Sequence, residues 1–178
     1  VNTLIQKYYP QALPYLAQVK SPMLAHGEIL KKKYPGCHTV FIGPCLSKKA
    51  EADAYAGAID CVLTFEELTG WLKEENIEVC PVSDNAGRSD KAKTRLYPTT
   101  SGSLRSMNKD NPEYLYIAID GVENCRNALR DIIDGNVGKC FIEMSACVNS
   151  CIGGAGRDIR GAGVLHEGRA VDAFAGSG

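Results

Sequence analysis

The sequence predicts an α/β fold of two lobes, with mainly parallel sheets flanked by helices and a ligand cleft between the lobes. Three observations carry this. Short apolar, β-branched runs at His38–Ile42, Cys61–Leu63, Leu115–Ile119 and Cys140–Ile142 alternate with helix-period segments, the pattern of parallel sheets. Two of these runs lead into cysteine-bearing loops flanked by glycine, and strand carboxyl ends are where open α/β sheets bind ligands. The chain has 178 residues, 44% of them hydrophobic, enough for a real core in one domain of two lobes.

The elements follow in order. Leu4, Ile5, Tyr8 and Tyr9 share a helical face that Pro10 ends. Pro14 and Pro22 break the next stretch. A helix begins at Ser21-Pro22 and runs to Lys33, with Lys31, Lys32 and Lys33 complementing the dipole in its last turn. Tyr34-Pro35-Gly36 is a turn, and His38–Ile42 reads as a buried strand. Cys61–Leu63 is a second strand. Thr64 then caps a helix, with Glu67 completing a capping box, and Phe65, Leu68 and Leu72 form its apolar stripe as far as about Asn76. Residues 80–107 are irregular, and the polar, mixed-charge stretch 83–94 is expected to be a mobile loop. Ser101-Gly102-Ser103 precedes a short helix through Leu104 and Met107. Leu115–Ile119 is a strand, Val122–Ile133 a helix stopped by Gly135, and Cys140–Ile142 the last strand. Beyond Gly156 the chain is rich in Gly and Ala, with little periodicity.

Composition excludes several classes. Lys and Arg total 20 against 21 Asp and Glu, a net charge of −1, so no basic excess points to nucleic acid. No apolar run reaches the roughly 18 residues of a membrane span. Eight cysteines in a chain long enough to fold without bridges point to metal-bound thiols in a reducing, cytoplasmic compartment.

The chemistry concentrates in two loops. The first reads Gly43-Pro44-Cys45-Leu46-Ser47-Lys48-Lys49-Ala50-Glu51. The second reads Glu143-Met144-Ser145-Ala146-Cys147-Val148-Asn149-Ser150-Cys151-Ile152-Gly153-Gly154-Ala155-Gly156. Thiolates are soft ligands that suit zinc or iron–sulfur clusters. Structural zinc favours paired ligands, often with histidine. An iron–sulfur cube takes four thiolates, and Cys45, Cys147 and Cys151 supply three. Gly153, Gly154 and Gly156 allow close backbone approach to an anion. Lys48, three residues past Cys45, would place its ammonium beside the thiolate if a helix starts there, with Glu51 one turn on as its partner.

The two loops resemble the second and third signature loops of the FeFe-hydrogenases, Pro-Cys-x-x-Lys-x-x-Glu and Glu-x-x-x-Cys-x-x-x-Cys followed by glycines. Lys20-Ser21-Pro22 and Ser101-Gly102-Ser103 fall where that family has related segments, so the likeness covers most of the chain. The resemblance implies a cluster-binding domain holding a 4Fe–4S cube bridged by cysteine to a diiron subcluster with carbonyl and cyanide ligands. Cys45 and Cys147 would ligate the cube, and Cys151 would be shared with the diiron unit. Lys48 would donate to cyanide, with Glu51 as its acidic partner. Ser21, Met23, Gly43, Pro44, Ser101, Gly102, Ser145, Gly153 and Gly154 would line the cluster, all three thiols converging on one cleft. The implied activity is reversible H2 oxidation and proton reduction, or H2 sensing. Implied partners are H2 and protons, electron-transfer iron–sulfur domains or ferredoxin, and a PAS-type signalling domain.

Departures from the family pattern point to its sensory branch. The first signature loop, Thr-Ser-Cys-Cys-Pro, would lie before Val1, so residues 1–178 are expected to be a fragment that is inactive and binds no cluster by itself. Ala17 stands where the family's proton relay has serine. Gly43 and Ser145 replace methionines, and Ser150 replaces a glycine. The alternatives are a non-catalytic iron–sulfur assembly factor with the same domain, and a structural zinc domain. Cys61 and Cys140, inside apolar strands, are expected to be core thiols. Cys37, Cys80 and Cys125 have no partner at ligand spacing. His26, His38 and His166 are scattered and read as surface or core residues.

Overall fold

The computed structural model describes residues 1–80, 93–157 and 163–175. Its helices are α1 (Asn2–Tyr8), α2 (Pro22–Lys33), α3 (Ser47–Ala54), α4 (Phe65–Glu74), α5 (Gly102–Ser106), α6 (Val122–Ile133) and α7 (Val164–Ala175). Its strands are β1 (Val40–Ile42), β2 (Cys61–Leu63), β3 (Leu115–Asp120) and β4 (Cys140–Ser145). The fold is mixed α/β, with β1 and β2 forming one parallel pair and β3 and β4 another. Contacts divide the chain into two compact units. One comprises Val1–Leu16, Ser83–Gly154 and Gly161–Gly178, and the other Ala17–Val82 and Ala155–Arg160.

The unit holding β1 and β2 starts from Ser21, whose Oγ accepts the Leu24 N–H (3.4 Å) and caps α2 ahead of Pro22. Met23 and Leu24 of that helix are buried against Ala58 and Ile59, with Phe41 and Val62 of the strands packed alongside. Asp60 joins the layers. It pairs with Lys31 of α2 at 2.7 Å and accepts the Thr39 N–H at 2.7 Å, which together hold its carboxyl down at about 2. Thr64 and Glu67 form the expected capping box of α4. Lys49 of α3 reaches the same Glu67 carboxylate at 2.5 Å, so Lys49 first and the Thr64 N–H second hold that carboxyl below its usual range.

In the other unit β3 and β4 run in register from Leu115↔Cys140 to Asp120↔Ser145. Helix α6 lays Cys125 and Leu129 against them, fully buried. Ile5 of α1, Ala12 and Leu129 form one buried core cluster of this unit.

Several expectations need correction. The strand expected at His38–Ile42 is only Val40–Ile42 and is not buried, since Val40 and Ile42 are exposed. Cys61 is exposed rather than a core thiol. It begins β2 opposite the exposed Val40 and opens, with Lys49, Asp53 and Asp60, onto a groove of about 590 Å³. Cys140 is half-buried, while the fully buried thiol is Cys125. No residue of α4 is buried, so its apolar stripe is only partly covered. The last strand extends three residues past Ile142, because full register with β3 carries pairing to Ser145. Helix α7 was not foreseen. Its contacts come from elsewhere: the Arg95 guanidinium lies 4.7 Å from the Phe174 ring centre and Arg105 pairs with Asp172 at 3.3 Å. Of the loop expected to be mobile, residues 83–92 lie outside the described residues, and Lys93 and Thr94 open a 3-10 turn. No helix among the described residues is long and apolar enough to cross a membrane.

Candidate metal centre

The first thiol loop leaves β1 at Gly43, whose N–H donates to the Leu63 carbonyl of β2 (3.0 Å). Pro44 and Cys45 follow, both half-buried, and the chain turns directly into α3. The Lys48 N–H donates to the Cys45 carbonyl at 3.2 Å, so the thiol sits at the helix start, where the dipole favours an anion. Lys48 and Glu51, one turn apart on α3, form an ion pair with both side chains about three-quarters covered. The expected pair is therefore made within the protein, and the ammonium is held on the first two turns of α3.

The second thiol loop leaves the carboxyl end of β4. Cys147 is half-buried and Cys151 is exposed. Between them Asn149 (φ 63) and Ser150 (φ 56) are both left-handed, a conformation that asparagine adopts readily but that costs a serine about 1–2 kcal/mol. The Asn149 N–H donates to Asp120 Oδ2 at 2.7 Å, and the buried Ser150 hydroxyl lies 3.1 Å from Ser145 Oγ and 3.3 Å from Thr100 Oγ1. The Ser150 N–H closes the turn on the Cys147 carbonyl (3.0 Å), and the Ile152 N–H reaches the Pro98 carbonyl (3.2 Å). Gly153 is required by packing: a Cβ there would stand 1.9 Å from the Val148 carbonyl oxygen. Beneath the turn, the Cys125 thiol donates to the Ser145 carbonyl at 3.4 Å, and burial pushes that thiol up from its ordinary value.

Glu143 of the same motif caps α5, its carboxylate accepting the Leu104 N–H (2.9 Å) and the Ser103 N–H (3.4 Å). It thereby fixes the Ser101-Gly102-Ser103 segment. Ser101 has φ 61 and makes no side-chain cap, while Gly102 is buried. Ser21 is committed to capping α2, and Met23 lies in the core. Gly156 returns the glycine-rich tail to the Cys45 loop, its N–H donating to the Pro44 carbonyl at 2.9 Å and its carbonyl accepting the Phe65 N–H at 3.1 Å.

Cys147 and Cys151 thus share one turn, Lys48 and Glu51 one pair, and Glu143 meets the Ser103 segment. Cys45 belongs to the other unit from Cys147 and Cys151. Within either unit, no three His, Cys, Asp or Glu side chains among the described residues converge on a point that could hold a metal ion. His26, His38 and His166 are exposed. Asp120 and Thr100 were missed by sequence reasoning. The available signal was an acid at a strand carboxyl end followed by glycine, Ile119-Asp120-Gly121.

The class these observations define is a two-unit α/β chain with cysteine-bearing loops after the carboxyl ends of its strands. The chain matches the iron only hydrogenase large subunit, C-terminal domain, over residues 1–155, and it belongs to that family. It is 30% identical over 139 residues to the cytosolic Fe-S cluster assembly factor NAR1 of Kluyveromyces lactis, covering 65% of this chain and 28% of that protein. It is 24% identical over 204 aligned residues to iron hydrogenase 1 of Clostridium pasteurianum, covering 85% and 35%. The chain thus spans about a third of these relatives. The fold superimposes on a variant of apo [FeFe]-hydrogenase HydA1 from Chlamydomonas reinhardtii with a TM-score of 0.66 at 18% identity, over 94% of this chain and 62% of that one.

Proposed function

We propose that this chain is the cluster-binding domain of an FeFe-hydrogenase-like protein of the sensory branch, with Cys45, Cys147 and Cys151 as thiolate ligands. The observation that carries the reading is the donor set. Three cysteine thiols, soft ligands when they bind metal, follow strand carboxyl ends, one of them at the start of a helix that also holds the Lys48–Glu51 pair. That set is favoured for an iron–sulfur cluster over zinc by the match to the iron only hydrogenase family. It is one thiolate short of a cube's four. When bound, a 4Fe–4S cube with its diiron unit would supply the chemistry on H2 and the path for electrons.

The protein's part is ligation, orientation and proton handling. Cys45 and Cys147 would hold the cube, and Cys151 would be shared with the diiron unit. The Lys48 ammonium, restrained by Glu51, would donate to a cyanide. The resemblance gives Gly43, Pro44, Ser101, Gly102, Ser145, Gly153 and Gly154 to the surroundings of the cluster, and Ser21 and Met23 would act there only indirectly, through the cap and core of α2. Ala17 offers no hydroxyl to a proton relay, so turnover in the parent protein would be slow, which suits H2 sensing. Protons, H2, a ferredoxin-like electron donor and a PAS-type domain are the partners this reading entails. The cysteine-rich composition fits a reducing, cytoplasmic setting.

The assembly-factor reading is favoured by one observation, the 30% identity to NAR1. Iron and sulfide analysis with infrared spectroscopy of the parent protein, expressed at its full encoded length, separates the two. Carbonyl and cyanide bands are the expected result. Iron with sulfide but no such bands establishes the assembly factor instead, and zinc alone overturns both.

A further inference from the structure

We infer that Asp120, acting through Thr100 and Ser150, is the positioning residue of the Cys147–Cys151 turn, and that Ser145 and Ser150 are a matched pair. Asp120 ends β3 directly opposite Ser145, which ends β4. One oxygen of its carboxylate, Oδ2, accepts both the Asn149 N–H (2.7 Å) and the Thr100 hydroxyl (3.1 Å). A hydroxyl has one proton, and the carboxylate can only accept. Thr100 spends its proton on Asp120 and must accept from Ser150. Ser150 spends its proton on Thr100 (3.3 Å) and must accept from Ser145 (3.1 Å). Every hydroxyl therefore points along one line toward Asp120, and the polarity of the line is set at its charged end.

This line explains how two consecutive left-handed residues persist between the thiols. Ser150 is 3% exposed; without partners its hydroxyl would be an unsatisfied buried group. The Ser145 and Ser150 side chains bond each other across the end of β4 and the turn. A methionine at 145 would offer Ser150 no hydroxyl proton, and a glycine at 150 would leave Ser145 without this acceptor. The purpose of the clamp, holding two thiolates ready for a cluster, rests on the ligand reading above. Its geometry does not, and the test uses the chain without any cluster, so either can fail alone.

The experiment is site-resolved alkylation of the reduced 178-residue chain with iodoacetamide, followed by peptide mass spectrometry. Asp120→Ala is expected to speed modification of the half-buried Cys147 roughly tenfold or more, the opening expected on losing a hydrogen bond to a charged group. Cys45, in the other unit, should keep its parent rate. Thr100→Val should do the same more weakly, and Asp120→Asn, which keeps an acceptor oxygen, should restore near-parent protection. Of the paired changes, Ser145→Met with Ser150→Gly should disturb Cys147 less than the sum of the single changes. Unchanged Cys147 rates in both Asp120→Ala and Thr100→Val overturn the inference. So does equal acceleration at Cys45 in both variants, which would mean general unfolding, and so does an Asp120→Asn chain as reactive as Asp120→Ala.

Discussion

Replacing Gly156 by alanine should destabilise the unit that carries the Cys45 loop. Gly156 does not have the left-handed backbone that glycine alone tolerates, so alanine can adopt its conformation. In open space that exchange would stabilise by about 0.4–1 kcal/mol through the unfolded chain. The space here is not open. The new Cβ would meet Thr64 Cγ2 at 2.6 Å, Thr64 Cβ at 2.8 Å and the Pro44 carbonyl oxygen at 3.3 Å. Thr64 is buried and held as the cap of α4, so it has little room to give. Overpacking of this kind costs about 1–3 kcal/mol, and the two backbone hydrogen bonds of Gly156, at 2.9 and 3.1 Å, would lengthen as the segment moves. The clash wins, for a net loss of about 1–2 kcal/mol. Urea unfolding followed by fluorescence of Trp71, the single tryptophan and a residue of α4, reads it. With a slope of about 1–3 kcal/mol per molar urea, the midpoint should fall by about 1 M. Thr64→Ser removes the nearest atom and keeps the capping oxygen, so in the Gly156→Ala background it should return part of the loss. An alanine variant as stable as the parent would refute the argument, as would a serine change that recovers nothing.

Acid should erase the contribution of Asp60. Its folded value of about 2, against 3.8 ordinarily, means stability that is present above the unfolded value and lost as pH falls through the folded one. Asp60→Asn should therefore be less stable than the parent near pH 7, with the two urea midpoints converging between about pH 4 and pH 2; a gap that widens toward pH 2 contradicts the pairing. Leu129→Ala empties a site only 1% exposed between Ile5 and Ala12. It should cost about 2–5 kcal/mol, read as a lower thermal midpoint by circular dichroism, and a loss under about 1 kcal/mol would mean that the core of this unit lies elsewhere.

The elements legible in the sequence are those with their own start and stop signals. Ser21-Pro22, Thr64 with Glu67, and Gly135 mark helix ends through groups a few residues away, and α2, α4 and α6 form where those marks stand. Strand length and burial are different in kind. Pairing to Ser145 exists because β3 is long enough to continue the register. The exposure of Val40 and Cys61 follows from a two-stranded pair whose first register position lies uncovered. Helix α7 lies in a stretch rich in Gly and Ala without start or stop signals of its own, and its anchors, Arg95 and Arg105, are supplied from far along the chain.

The same division runs through the candidate site. Lys48 and Glu51 were legible because three residues on a helix is one turn, and the pair forms where that spacing puts it. The Cys147–Cys151 spacing likewise announces a shared turn. What holds that turn was not legible, because its parts meet only when β3 and β4 align: Asp120 across from Ser145, Thr100 from a separate segment, and Ser150 between them. Read along the chain, Ser145 and Ser150 are two isolated serines. In the folded unit their hydroxyls lie 3.1 Å apart and satisfy each other. The Ser145 hydroxyl, together with Thr100, partners the buried hydroxyl of the left-handed Ser150, so the two serines act as one structural feature of the turn.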